Sequence, residues 1–429
     1  MTQRVHWHTA QARPSGAGRL DAGFGKAGLA QVYFPGSTSS LATGVAVCPD
    51  GKLLVAAKVG THQGYRFGLA RLKADGSADL GFGEQGAVIG QFEGCGDAMA
   101  AGVVLLADGR ILIHGLQDIS AQHSLPALAM FDALGHLDRR FGDGGKRVVH
   151  LPGQLSVSTR DHWVPMGTPG TEVSGACVQE DGAILLLANH HYALANHVGV
   201  LIRVGADGEL DTAFNGRGFV IVRRSLANTW LGGVHLQADG RVLVAGASDL
   251  PPQGLLARYN PDGSPDVQFG DGGMAIFHLA SQSNRFRQVL ALADGRLRSV
   301  GHTNDPLLAM ARGVQGDGGP DLGFNDGQAS LIAIGHQGCQ WTAATLQGEQ
   351  LIAVGSTQGG FEADIIVARW APGGTLDPGF GQGRGWVRTR LGPGLDTATA
   401  VALQEDGRIV VAGHSLQGNF RAVVVRYMG

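Results

Sequence analysis

The chain has 429 residues, among them 70 Gly, 16 Pro and 4 Cys, and its 33 basic and 36 acidic residues leave a net charge of −3. Charges scattered singly give no basic footprint for nucleic acid and no acidic tail. Gly far above its usual share of ~7%, beside ordinary Pro, excludes collagen and disordered linker and points to tight turns, while no apolar run approaches the ~20 residues that span a bilayer.

Residues 1–16, "MTQRVHWHTAQARPSG", lack the apolar core of a secretory signal and read as a loose tail ahead of one domain over 17–429. As written the chain reads as cytoplasmic; a leader removed before residue 1 would give secretion or the cell surface instead. "AGFGKAG" (22–28) follows Leu20-Asp21 and is too glycine-rich for a helix. Its marker Asp-x-x-Phe recurs at Phe24, Phe82, Phe141, Phe214, Phe269, Phe324 and Phe380, with successive spacings of 58, 59, 73, 55, 55 and 56. A period of that length held seven times is an array of one supersecondary unit. Each unit then buries its face on its neighbours, so the whole length reads as a single domain.

The last unit, "TATAVALQEDGRIVVAGHSLQGNFRAVVVRY" (397–427), shows the parts most cleanly. Two short β-branched runs flank Asp406-Gly407, a two-residue hairpin signal. The same turn stands at Asp50-Gly51, Asp108-Gly109, Asp181-Gly182, Asp239-Gly240 and Asp294-Gly295, with "QGEQ" (347–350) replacing it in the sixth unit. A third run carrying an arginine follows, then a turn, then Asp-x-x-Phe-Gly and a fourth short run. No segment holds a helical period. Four short antiparallel strands in each of seven units predict an all-β, seven-bladed propeller.

With strands labelled A to D from the axis outward, the chain begins on a D strand (28–34) and ends on a C strand (421–427). Pairing these two in one composite blade removes both free edges and closes the ring. Gly44, Gly102, Gly175, Gly233 and Ala400 lie six residues before the turn Asp, with Ala343 nearest in the sixth unit, as strands converging on an axis require. Gln288 breaks that rule, and with Arg287 it is expected to project polar groups into the channel.

The pattern DG(K/R)ΦΦΦAG…ΦARΦxxDGxLDxxFGxxG, with Φ apolar, resembles the delta-60 repeat family of bacterial β-propeller units over residues 18–428. The resemblance implies the propeller and an architectural role for the motif residues, and implies no activity. Arg71, Arg203, Arg258, Arg312, Arg369 and Arg426, with Met130 in the second unit, face Asp21, Asp79, Asp138, Asp211, Asp266, Asp321 and Asp377. Catalysis seldom needs six copies of one pair, so these are read as inter-blade ion pairs and turn caps. "FGDGG" (141–145 and 269–273) lacks the alternating oxygens and closing Glu of a calcium loop. GxxxxGK(S/T), GxSxG and HExxH are absent. No metal or cofactor is expected, and Cys48, Cys95, Cys177 and Cys339 read as free thiols.

The A–B and C–D connections share one face, where the turns repeat. The D–A and B–C connections share the other, where they vary, and variable loops on a rigid scaffold are where binding residues gather. The binding residues expected there are Tyr65, Arg160, Asp161, His162, Trp163, His190, His191, Tyr192, His197, Trp230, Arg287, His302, Asp305, Trp341 and Phe420. The spacing of 73 places an insertion over 152–172 on this face, with Arg160-Asp161-His162-Trp163 at its centre. His162, His190, His191 and His197 are residue types that ligate metals, but no acidic partner adjoins them, and histidine clusters in loops are commonly solvated. The leading expectation is a monomeric, non-enzymatic binding module for a protein or glycan. Its rivals are a hydrolase or lyase at the channel mouth, using His162, His190, Arg287, His302, Asp305 and Asp396, and a cell-surface or adhesin-like structural module.

Overall fold

Buried and half-exposed positions alternate along Ser39–Val47 and Ala98–Leu105, the period-2 signature of a strand with two unlike sides. The structure, a computed structural model, describes residues 16–120, 123–151, 171–193, 196–224, 227–249, 252–279 and 282–429. Its strands form seven four-stranded antiparallel sheets. Blades 1 to 6 span residues 39–90, 98–148, 171–222, 229–277, 284–332 and 339–389, and blade 7 joins 396–427 to 29–31. This is the expected propeller. Apolar side chains fill each space between blades, as where Leu54, Ala56 and Leu69 of blade 1 meet Ile111, Ile113 and Ala127 of blade 2. Among the described residues no helix is long and apolar enough to cross a membrane.

The ring closes where expected. Leu29, Ala30 and Gln31 pair with Val425, Val424 and Val423. Upstream, the Asp21 amide donates to the Arg426 carbonyl at 2.9 Å and the Gly18 amide to the Met428 carbonyl at 2.8 Å. The outer strand is shorter than 28–34: after Gln31 the Val32 amide still bonds the Ala422 carbonyl at 2.9 Å, and beyond it the chain leaves the ladder, with Val32 and Phe34 buried between blades 7 and 1.

Every motif Phe, from Phe24 to Phe380, is buried. In five blades a guanidinium lies on its face, at 4.5 Å for Arg71 over Phe82 and 4.4 Å for Arg426 over Phe24. The same arginines bind the motif Asp: Arg71 to Asp79 at 2.8 Å, Arg258 to Asp266 at 2.7 Å and Arg369 to Asp377 at 2.8 Å. Three of them reach on into the next blade, bonding the carbonyls of Ala133, Gly316 and Ala74 from Arg71, Arg258 and Arg426. Blade 5 departs from the expected pairing. There Arg298, from strand B, takes Asp321 at 2.9 Å, while Arg312 donates to the Gly327 carbonyl and lies over Phe277. In blade 2, where Met130 stands in the arginine position, Arg140 and Arg110 serve Asp138.

A second lock uses backbone alone. The amide after each motif Phe donates to a carbonyl in the next blade's C–D turn. Gly25, Gly83, Gly142 and Asn215 bond Asp75, Leu134, Asp207 and Asp262 at 2.7–2.9 Å. Gly270, Asn325 and Gly381 bond Asp317, Gly373 and Ala17 at 2.7–3.1 Å, so the lock runs through all seven junctions. The turn glycine explains itself here: Gly76 has φ +87, and a Cβ on it would sit 2.9 Å from the Phe24 ring of the preceding blade. The A–B hairpins are one residue longer than a two-residue loop in every blade but the sixth, where Gln347 pairs with Gln350. Cys48 pairs with Lys52, the Gly51 amide bonds the Cys48 carbonyl, and the Asp50 carboxylate accepts the Lys52 amide at 3.1 Å. That is a tight turn followed by a left-handed glycine.

Candidate functional site

Each innermost strand carries a bulge at the same place. The extra residue is Thr43, Ala101, Ser174, Gly232, Arg287, Thr342 or Thr399 in blades 1 to 7. The bulges bend the strands inward around an axial cavity of about 220 Å³, lined by these residues and the small ones beside them. Closeness forbids larger side chains: a Cβ on Gly44 would lie 2.9 Å from the Gly102 Cα. Most polar groups here are taken. Thr342 and Thr399 hydroxyls each bond the Ala398 or Ala42 carbonyl of the next blade at 2.8 Å. Gln288 lines the cavity as expected, and its side-chain oxygen accepts the Ala344 amide at 2.7 Å, tying blade 5 to blade 6. Arg287 does line the channel, and its Nε is buried without a partner among the described residues.

Two residues before each bulge, on the same side of the strand and nearer the variable face, stand Leu41, Met99, Glu172, Trp230, Arg285, Gln340 and Thr397. The scaffold thus repeats while its mouth does not. Blades 1 and 2 offer apolar groups, and blades 3 to 6 offer Glu, Trp, Arg and Gln.

Blades 3 and 4 bring three expected residues together. The rings of His191 and His197 lie edge-on or tilted to Trp230 and to each other, with centroids 5.4, 5.4 and 5.7 Å apart. His197 Nε2 is 3.3 Å from an Asp249 carboxylate oxygen. Burial pushes the His191 imidazole below its ordinary value, with Glu172 opposing and His197 adding to the shift. His190 turns inward, buried, with Nδ1 3.3 Å from the Thr171 hydroxyl. On blade 5, His302 is directly opposite Arg285; burial, then Arg287 and Arg285, push its imidazole down to about 3.

Other expected residues stand apart from this cluster. Tyr65 of blade 1 lies under Lys58, whose ammonium is 3.8 Å from the ring, and Phe420 of blade 7 packs on His414 at 5.4 Å. Asp305 is exposed. Asp396 is buried and accepts the Leu391 and Gly392 amides at 2.6 and 3.0 Å, a clip for its own loop. Trp341 corrects the sequence reading: it is fully buried, edge-on to Trp370 at 5.6 Å, because it occupies the inward register of Ala42, Leu231 and Phe286. His190, His191 and His302 belong to strands, Ile184–Ala193 and Leu297–Thr303, where loops were expected. Arg160, Asp161, His162 and Trp163 lie outside the described residues, as do the side chain of Tyr192 and residues 1–15. Glu172, Asp249 and Arg285 were missed. Their shared place nine residues before the turn Asp, at Asp181 and Asp294, was the signal for Glu172 and Arg285. Among the described residues no group of three or more His, Cys, Asp or Glu is placed to hold a metal ion.

A family described as "Domain of unknown function (DUF5122) beta-propeller" matches residues 48–82, 237–269 and 404–428. The first two segments end on a motif Phe, Phe82 and Phe269. The chain is therefore similar to a β-propeller family through its repeated turn-to-Phe unit. No curated protein matches it. Similar solved structures include a protein of unknown function from Dyadobacter fermentans, 13% identical, covering 82% of this chain and 96% of that one at TM-score 0.43. A polysaccharide lyase described as an ulvan lyase is 13% identical over 97% and 95% of the two chains at TM-score 0.43. Sqt1 from Chaetomium thermophilum is 14% identical over 93% and 98% at TM-score 0.43. The blade count rests on the chain's own strand ladders.

Proposed function

We propose that this protein is a monomeric, non-enzymatic binding module, and that its variable face, centred on the mouth over blades 3 to 5, engages a protein partner. The observation that supports this reading is the cluster of His191, His197 and Trp230 at the one rim where seven equivalent positions carry seven different side chains. A half-buried Trp beside two histidines, with Arg285 and Arg287 on the next blade, is the composition of interface anchors. A protein suits the rim better than a glycan, because the B–C connections also present exposed apolar groups: Phe361 is 92% exposed, Ile119 48% and Tyr65 37%. In this reading the domain runs from 17 to 429, the repeats are of the delta-60 type, and the insertion expected over 152–172 ends before strand Thr171–Val178, its remainder lying outside the described residues.

The test is capture from lysate on immobilised protein, comparing wild type with Trp230→Ala, Phe361→Ser and the turn-face control Leu322→Ser. Loss of the captured protein in the first two variants alone supports the reading. Loss only in the control, or unchanged capture by all, refutes it. Binding of glycans with no captured protein would reassign the partner class. A deletion of residues 155–168 that recovers the same partners would remove the insertion from the recognition surface.

A further inference from the structure

The motif arginines Arg71, Arg203, Arg258, Arg369 and Arg426, and the substitute Arg298, each have a carboxylate partner. Arg285 and Arg287 have none. Among the described residues neither guanidinium makes a hydrogen bond or ion pair, and the Nε of each is buried. They share one side of strand A in blade 5, two residues apart, and His302 stands beside Arg285 on the neighbouring strand. His302 is 5% exposed, and its Nδ1 is also buried and unpartnered. Burial holds the Arg287 guanidinium below its ordinary range, Arg285 adds to that, and only Glu172, exposed on blade 3, opposes it.

Two like charges and three unpaired nitrogens in one half-buried place are unfavourable unless something completes them. Taking the variable face as the binding surface, we infer that the channel mouth at blade 5 receives a carboxylate side chain of the protein partner, held between Arg285 and Arg287. A planar guanidinium fork matches a carboxylate, and Arg287 lining an axial cavity of about 220 Å³, with Arg285 two residues nearer the mouth, suits one thin, flexible acidic side chain. A uronate carboxylate, fixed directly to a sugar ring, lacks that reach. Trp230 on one side and Leu41 with Met99 across the mouth offer apolar seats for the residues flanking the acid.

The test uses the full chain and a capped tetraglutamate peptide, followed by calorimetry and by arginine side-chain Nε–H resonances. The expected result is millimolar or tighter binding that shifts the Arg285 and Arg287 resonances. It weakens at least tenfold in Arg287→Gln and in Arg285→Gln, partially in Arg287→Lys, and is absent for capped tetraglutamine. Circular dichroism checks that the variants fold, and Arg408→Gln on the turn face serves as the charge control. Failure of tetraglutamate to bind, or equal binding by Arg287→Gln, overturns the assignment. Tighter binding of tetragalacturonate or inorganic phosphate at the same resonances also overturns it. If tetraglutamate fails while lysate capture still depends on Trp230, the carboxylate assignment falls alone. If tetraglutamate binds through Arg287 while capture ignores the variable face, the binding-face reading falls instead.

Discussion

Replacing Arg426 by Ala tests the closure of the ring at its most heavily bonded side chain. The guanidinium bonds Asp21 from Nε and Nη2 at 2.9 and 2.8 Å, and the Ala74 carbonyl of blade 1 from Nη1 at 2.6 Å. It also covers the Phe24 ring at 4.4 Å. Residue 426 is therefore the joint between the first segment, the last strand and the neighbouring blade. Removing one partner of a buried ion pair costs about 3–5 kcal/mol, much of it from the group left behind. Asp21 keeps the Gly23 amide at 3.0 Å and Arg408 at 3.0 Å, which moderates the loss, while the Ala74 carbonyl is orphaned. The expected destabilisation is about 4 kcal/mol, within that range for a buried pair. Arg71→Ala, at a pair with 11% and 13% side-chain exposure, should cost about half as much. Urea denaturation of both variants, with a double-mutant cycle against Asp21→Ala, measures the difference. A loss below about 1 kcal/mol for Arg426→Ala, or a coupling energy near zero, would refute the account of how the ring is fastened.

Two further outcomes concern titration and thiols. Burial pushes the imidazoles of His114 and His414 down to about 4, and burial with Arg287 and Arg285 pushes His302 down to about 3. Their folded values lie below the unfolded 6.5, so the unfolded chain binds more protons and stability, complete above pH 6.5, is lost as pH falls. Each ring contributes about 1.4 kcal/mol per pH unit through that window, and urea midpoints at pH 7.5 and 5.5 should differ steeply; equal midpoints would contradict neutral buried rings. Among the four thiols only Cys95 is exposed, and burial pushes Cys177 up to about 12. A thiol reagent should label Cys95 first and the buried Cys339 only on unfolding, and prompt reaction of Cys339 would contradict the packing.

Seven Asp-x-x-Phe markers made the ring legible, because each Phe fills one inter-blade space and each Asp ends one turn, so architecture is written once per blade. The closing strand was legible for a similar reason: a D-type segment at the front and a C-type strand at the end leave one sensible pairing. What escaped was whatever depends on side-chain direction. Trp341 reads as a rim aromatic from sequence alone because nothing in "GHQGCQW" (335–341) marks Cys339 as the first residue of a strand, and one residue of register separates the core from the mouth. The bulges were invisible because Thr43, Ser174 and Gly232 carry no common signal. The swap of Arg312 for Arg298 required knowing that positions on adjacent strands reach the same carboxylate.

The composite seventh blade has a consequence for the order in which the chain can be made. Phe24, Val32 and Phe34, synthesised early, can pack on blade 1, but their other side stays open until residues 421–427 emerge nearly 400 residues later. Through translation these side chains are a sticky liability, and the inner blades must be assembled around an unfinished gap. Newly made protein is thus most vulnerable to misassociation just before its final strand is released.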